Sequence, residues 1–317
     1  MTKTNAAGHS IDPKIAGALK YLASLNLPPL QEMTPDQARE GMRKLSVKEQ
    51  SSELFSVTDQ LIAGDGCDIP LRVYRPQADE TLPVIVFYHG GGWVVCDLDT
   101  HDECCRRMAR QAQCVVVSVD YRLAPEHPFP AGLEDAYTAL QWVSEHAAEL
   151  NVDTSRLAIG GDSAGANLAA AAALRARDEQ GPAINFQLLI YPVTNVRDMD
   201  AGSYLEFSKG YRLEKKGMEW FREQYIGPNG DAGRSDVSPL LADELKGLPD
   251  TYVATAGFDV LRDEGEAYAK ALAKDGVKVA YSCFGEQIHG FVGLADIISS
   301  SSRAYDQILE SLAEGFA

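Results

Sequence analysis

The chain has 317 residues, 45% of them hydrophobic, and a formal net charge of −17. That is enough apolar material for one large core plus an appendage, while the acidic surplus argues against a nucleic-acid partner, whose phosphates demand clustered Lys and Arg. No apolar leader follows Lys3, and no stretch reaches the roughly 18 to 20 apolar residues of a membrane span, so a cytoplasmic location is expected.

Up to about residue 50 the pattern is helical. Asp12 and Pro13 form a helix start, with Ile15, Leu19 and Leu22 recurring on one face. A second helix opens at Thr34, Pro35, Asp36 and Gln37, where Thr34 can cap and Gln37 can reach back. With no strand between them, these helices predict a cap over 1–50 laid on a body at 51–317. Runs at 54–61 and 69–74 flank a turn at Gly64, Asp65 and Gly66 and predict an antiparallel pair. Short apolar or β-branched runs follow at 84–88, 114–119, 157–159, 186–191, 252–255 and 279–284, most of them separated by helical segments. Such alternation predicts an α/β fold: a mostly parallel central sheet, helices on both faces, and ligands beyond the carboxyl ends of the strands. The interval 195–238 carries Tyr204, Phe207, Tyr211, Trp220, Phe221 and Tyr225 without a strand pattern. It is too long for an ordinary loop and predicts a second cap segment. Cys67, Cys96, Cys104, Cys105, Cys114 and Cys283 show no paired spacing, so neither a zinc site nor a disulfide framework is expected.

Gly161, Asp162, Ser163, Ala164 and Gly165 stand where the run at 157–159 gives way to an alanine-rich helix. A serine at such a corner is held on a strained turn with its hydroxyl presented, which proposes a nucleophile. It needs a base, an acid to orient the base, and donors for an oxyanion. Directly after 84–88 come His89, Gly90, Gly91, Gly92 and Trp93, whose glycine N–H groups can turn toward negative charge and which lack the Lys and Ser or Thr of a P-loop. Of His9, His89, His101, His127, His146 and His289, the last follows the 279–284 run after a short polar loop and is the expected base. His89 reads as a structural member of the glycine loop, and His9 is expected in an unordered terminus. Asp259 comes nearest the end of the 252–255 run and is the expected acid, with Asp263 and Glu264 assigned to compensating the next helix dipole. Asp162 has no role at this level.

Together, HGGGW at 89–93, DYRLAPE at 120–126, GDSAG at 161–165, DVLRDE at 259–264 and HGF at 289–291 resemble the bacterial branch of the hormone-sensitive lipase family of carboxylesterases, over nearly the whole chain. The resemblance implies an α/β-hydrolase fold and hydrolysis of short-acyl esters through an acyl-enzyme, with Ser163 as nucleophile, Asp259 as acid and His289 as base. It further implies an oxyanion hole from the N–H groups of Gly91, Gly92 and Ala164. The substrate is then a small-molecule ester, with no metal or organic cofactor required, and a sheet-edge homodimer would suit such a family. Trp93, Phe207 and Tyr211 are the expected pocket lining. One departure is visible: the family usually has proline after the acid, where this chain has Val260. An acyltransferase or amidase on the same triad is the alternative within enzymes. A non-catalytic receptor resembling the plant gibberellin receptor, which lacks the catalytic histidine, is disfavoured by the presence of His289.

Overall fold

In the computed structural model, which describes residues 4–5, 7–46, 53–78 and 80–317, successive residues of the central strands feed two separate cores. The strands are β1 (Ser56–Ala63), β2 (Asp68–Arg75), β3 (Leu82–Tyr88), β4 (Val115–Val119), β5 (Val152–Asp162), β6 (Phe186–Ile190), β7 (Asp250–Phe258) and β8 (Val279–Ile288). Among the described residues they form one sheet in the order β1-β2-β4-β3-β5-β6-β7-β8. β2 is antiparallel to both of its neighbours, and β4, β3, β5, β6, β7 and β8 are parallel.

The helices are α1 (Pro13–Ser24), α2 (Pro35–Leu45), α3 (Asp102–Ala112), α4 (Ala131–Glu145), α5 (Ala147–Leu150), α6 (Ala164–Asp178), α7 (Gly202–Glu206), α8 (Lys215–Ile226), α9 (Arg262–Lys274) and α10 (Ser299–Gly315). Because side chains alternate along a strand, Val84, Val86 and Tyr88 of β3 pack in the core that holds Leu140 of α4, Ala169 of α6 and Leu272 of α9. Ile85 and Phe87 pack with Met108 of α3 and Ile308 of α10. Burial on both faces is why these strands read as continuous apolar runs rather than as alternating ones. The small side chains of Ala169, Ala170, Ala171, Ala172 and Ala173, all buried, let α6 lie close against the sheet.

Both helix starts expected near the N-terminus are present. Asp12 caps Lys14 and Ile15, and Thr34 and Gln37 exchange both bonds of the capping box. α2 is fastened to the body by Arg39, which donates to the carbonyls of Val94 at 2.8 Å and Ala124 at 3.1 Å and pairs with Glu126. α7 and α8 occupy the 195–238 interval, and Gly217 of α8 faces Leu30.

Three expectations change. β5 begins at Val152, well before the apolar run at 157–159, because Val152 pairs with Leu82 while the polar residues between them pass a register shift. β8 continues to Ile288, so no loop separates it from His289; Phe258 still pairs with Ile288 there. His9 is not in an unordered terminus. Its N–H donates to Asn5 Oδ1 at 2.9 Å, and its ring lies over Gly285. Asn5 in turn donates through Nδ2 to the carbonyls of Gly257 and Gly285, each at 3.2 Å, which pins the chain start to an irregularity between β7 and β8.

Candidate active site

β5, β7 and β8 end at Asp162, Phe258 and Ile288, one residue before Ser163, Asp259 and His289 respectively. Parallel strands in one sheet end on the same edge, so the sheet itself gathers the three side chains. His289 Nε2 lies 2.9 Å from Ser163 Oγ, and His289 Nδ1 lies 2.7 Å from Asp259 Oδ2. A carboxylate can only accept, so Nδ1 carries the proton and Nε2 faces the hydroxyl as acceptor.

Ser163 has φ 55° and ψ −119°, a backbone strain that a serine adopts only where its surroundings impose it. Its N–H donates to Ile190 at 2.8 Å, and its carbonyl accepts from Asn167 and Val193. At Gly165 a Cβ would overlap the carbonyl oxygen of Tyr88, so only glycine lets α6 start this close to β3. Val260, where the resembling family has proline, leaves the acid's turn intact. Asp259 Oδ1 accepts the N–H of Leu261 at 3.0 Å, and the Val260 carbonyl accepts the Ser203 hydroxyl.

The glycine loop turns sharply. Gly91 has φ 120°, and its carbonyl accepts from Val94 and Val95. Among the described residues, the N–H groups of Gly91, Gly92 and Ala164 donate to no backbone or side-chain acceptor. The His89 carbonyl accepts the Tyr121 hydroxyl at 2.7 Å, and the His89 ring stacks on that of Tyr121. Burial, with His101 nearby, pushes His89 down to about 4, so it is neutral and structural.

Three residues gain roles that were not visible in the sequence. Asp162 accepts the Gly90 N–H at 2.7 Å through Oδ1, lies 3.2 Å from His101 Nε2, and accepts the Tyr191 hydroxyl at 3.3 Å. Burial works to raise its carboxyl, but His101 and the Gly90 N–H hold it below its ordinary value. The only available signal was its place beside the serine. Glu264 does sit in the first turn of α9, but dipole compensation does not describe it: it is buried and its Oε1 accepts the N–H groups of Thr194 at 2.6 Å and Asn195 at 3.1 Å. Burial pushes it up to about 8. Asp263 likewise accepts the Ser203 N–H.

The aromatic expectations also need correction. Trp93 is 1% exposed and stacks on Tyr225 at 4.2 Å, and Phe207 is 2% exposed between Phe258 and the guanidinium of Arg262. Both are buried against aromatic neighbours. Tyr211 keeps partial exposure and stacks on Phe258, beside Asp259. Among the described residues no group of three or more His, Cys, Asp or Glu side chains is arranged to hold a metal ion, and no helix is long and apolar enough to cross a membrane.

A family model described as the α/β hydrolase fold matches residues 85–293. The chain belongs to the α/β-hydrolase family. This α/β-hydrolase is 40% identical over 321 residues to the carboxylesterase NlhH of Mycobacterium tuberculosis, covering 98% of each chain. It is 45% identical over 263 residues to the carboxylic ester hydrolase LipN of the same organism, covering 81% of this chain and 69% of that one. Among solved structures, a hyperthermophilic esterase from the archaeon Pyrobaculum calidifontis superposes with a TM-score of 0.92 at 42% identity, covering 96% of this chain and 98% of the other.

Proposed function

We propose that this α/β-hydrolase cleaves short-acyl carboxylic esters with Ser163 as nucleophile, His289 as base and Asp259 as the acid that orients it. The protein is a serine carboxylesterase acting on small-molecule esters. In the proposed cycle His289 takes the Ser163 proton as the hydroxyl attacks the ester carbonyl. The N–H groups of Gly91, Gly92 and Ala164 receive the oxyanion, His289 protonates the leaving alcohol, and water repeats the sequence on the acyl-enzyme. The observation that carries this reading is the continuous chain from Ser163 Oγ through His289 to Asp259, at 2.9 and 2.7 Å.

The short-acyl preference rests on enclosure. Ser163 and His289 are 6% and 9% exposed, and Phe221 of α8 packs directly on Gly92. The described part of residues 1–50 and residues 195–238 act as two cap segments over this site, with Tyr211 on the substrate side. The motif set at 89–93, 161–165 and 289–291 supports assignment to the hormone-sensitive lipase branch of the family. A homodimer through exposed sheet edges completes the reading and is checked by the solution mass. The test of function is hydrolysis of aryl esters of graded acyl length by the wild type and Ser163→Ala. Activity peaking at short acyl chains and lost in the variant is expected; a fully active variant would overturn the assignment of the nucleophile.

A further inference from the structure

We infer that His101 and Asp162 form a positioning pair that sets the direction of the oxyanion donors. The inference rests on the oxyanion reading above and adds two residues outside the triad. Asp162 precedes the nucleophile in the chain, and its Oδ1 is shared by the Gly90 N–H at 2.7 Å and His101 Nε2 at 3.2 Å. A peptide plane is rigid, so the Asp162 contact fixes the His89–Gly90 peptide, while the Gly90 carbonyl, 2.7 Å from His89 Nδ1, holds the next peptide, which carries the Gly91 N–H. The strand end that carries Ser163 and the loop that carries the donors are thereby locked to each other through one carboxylate.

His101 supplies the third point. It stands at the start of α3, and its Nδ1 lies 3.1 Å from Thr100 Oγ1, whose hydroxyl also accepts the Asp97 N–H at 2.9 Å and donates to the Asp97 carbonyl at 2.8 Å. That turn orients the ring so that Nε2 meets Asp162. Without the His101 contact, Asp162 would be a buried carboxylate held by one backbone N–H and the long 3.3 Å bond from Tyr191, and free to rotate away from Gly90. Neither residue touches the reacting atoms, so the effect falls on transition-state stabilisation rather than on substrate binding.

The experiment compares His101→Leu and His101→Gln with the wild type on a short aryl ester. Inhibition by a trifluoromethyl ketone, which adds to the serine as a tetrahedral oxyanion, is measured alongside. His101→Leu is expected to lower kcat about 10- to 100-fold with KM within about twofold, and to weaken the ketone by the same factor. His101→Gln returns an N–H at the Nε2 position and is expected to recover most of both. A His101→Leu protein with wild-type kcat, or one whose loss is neither matched by the ketone nor recovered by Gln, would overturn the pair. Labelling by a fluorophosphonate separates the two levels. A wild type not labelled at Ser163 overturns the triad and the pair together, whereas a labelled His101→Leu protein with unchanged kcat overturns the pair alone.

Discussion

Asp259 divides its carboxylate between His289 and its own turn: Oδ2 lies 2.7 Å from His289 Nδ1 while Oδ1 accepts the Leu261 N–H at 3.0 Å. In the proposed triad one oxygen orients the base and the other holds the acid in place. Asp259→Asn can keep only one of these acceptors and presents an amide NH2 donor to the other partner, which drives His289 into the wrong tautomer. The expected result is a fall in kcat of about 10⁴-fold with the fold intact, read by steady-state kinetics beside a circular-dichroism melt. A loss smaller than tenfold would mean that Asp259 does not orient the base.

Gly165 tests the corner that presents the serine. A Cβ there would overlap the Tyr88 carbonyl oxygen, which is backbone and cannot swing aside. Gly165→Ala is therefore expected to destabilise by about 3 kcal/mol, at the upper end of overpacking costs, and to displace Ser163. Denaturant unfolding checks the first effect and fluorophosphonate labelling the second. Wild-type values in both would show that α6 can retreat from β3.

Glu264 predicts a pH dependence of stability. Its carboxyl is raised from an ordinary 4.5 to about 8 by burial, so in the folded protein it holds its proton through neutral pH. As pH rises from about 4.5 the unfolded chain gives up that proton while the folded chain keeps it, so stability declines across the interval and its contribution is lost near pH 8. Glu264→Gln keeps an acceptor for the Thr194 and Asn195 N–H groups and cannot ionise. The difference in unfolding free energy between the two proteins should shift in favour of the variant from pH 5 to about 8. A difference that stays constant over that range would contradict the assignment.

Asn5 tests the anchored N-terminus. Its amide supplies the carbonyls of Gly257 and Gly285, buried between the strands that end at the acid and the base. Asn5→Ala leaves those acceptors without this donor and should cost about 1 to 3 kcal/mol. Urea midpoints measure it, and an unchanged midpoint would show that the clip carries no stability.

Much of the site was legible because its signals are local. The corner at Ser163 is specified by glycines within two residues of it, and the positions of Asp259 and His289 follow from apolar runs that end a few residues before them. Even the strand boundaries erred in an informative way. β5 and β8 extend past polar residues, Asp153 to Arg156 and Glu286 to Gln287, because pairing is taken up again beyond a register shift, at Val152 with Leu82 and at Ile288 with Phe258.

From sequence alone, then, came the doubly covered, mostly parallel sheet, the two capped N-terminal helices and the proposed order of nucleophile, acid and base. Each is encoded by hydrophobic period or by steric demands that act over a few neighbouring residues. Only the tertiary structure decided that Asp162 meets His101 and Gly90, that Glu264 is a buried acid serving Thr194 and Asn195, and that Trp93 and Phe207 are spent in packing. Those partners lie far apart in the chain, and a polar or aromatic side chain carries no periodic sign of which distant group it will meet. That choice is made by the order of strands in the sheet, which brings their ends, and whatever follows them, to one edge.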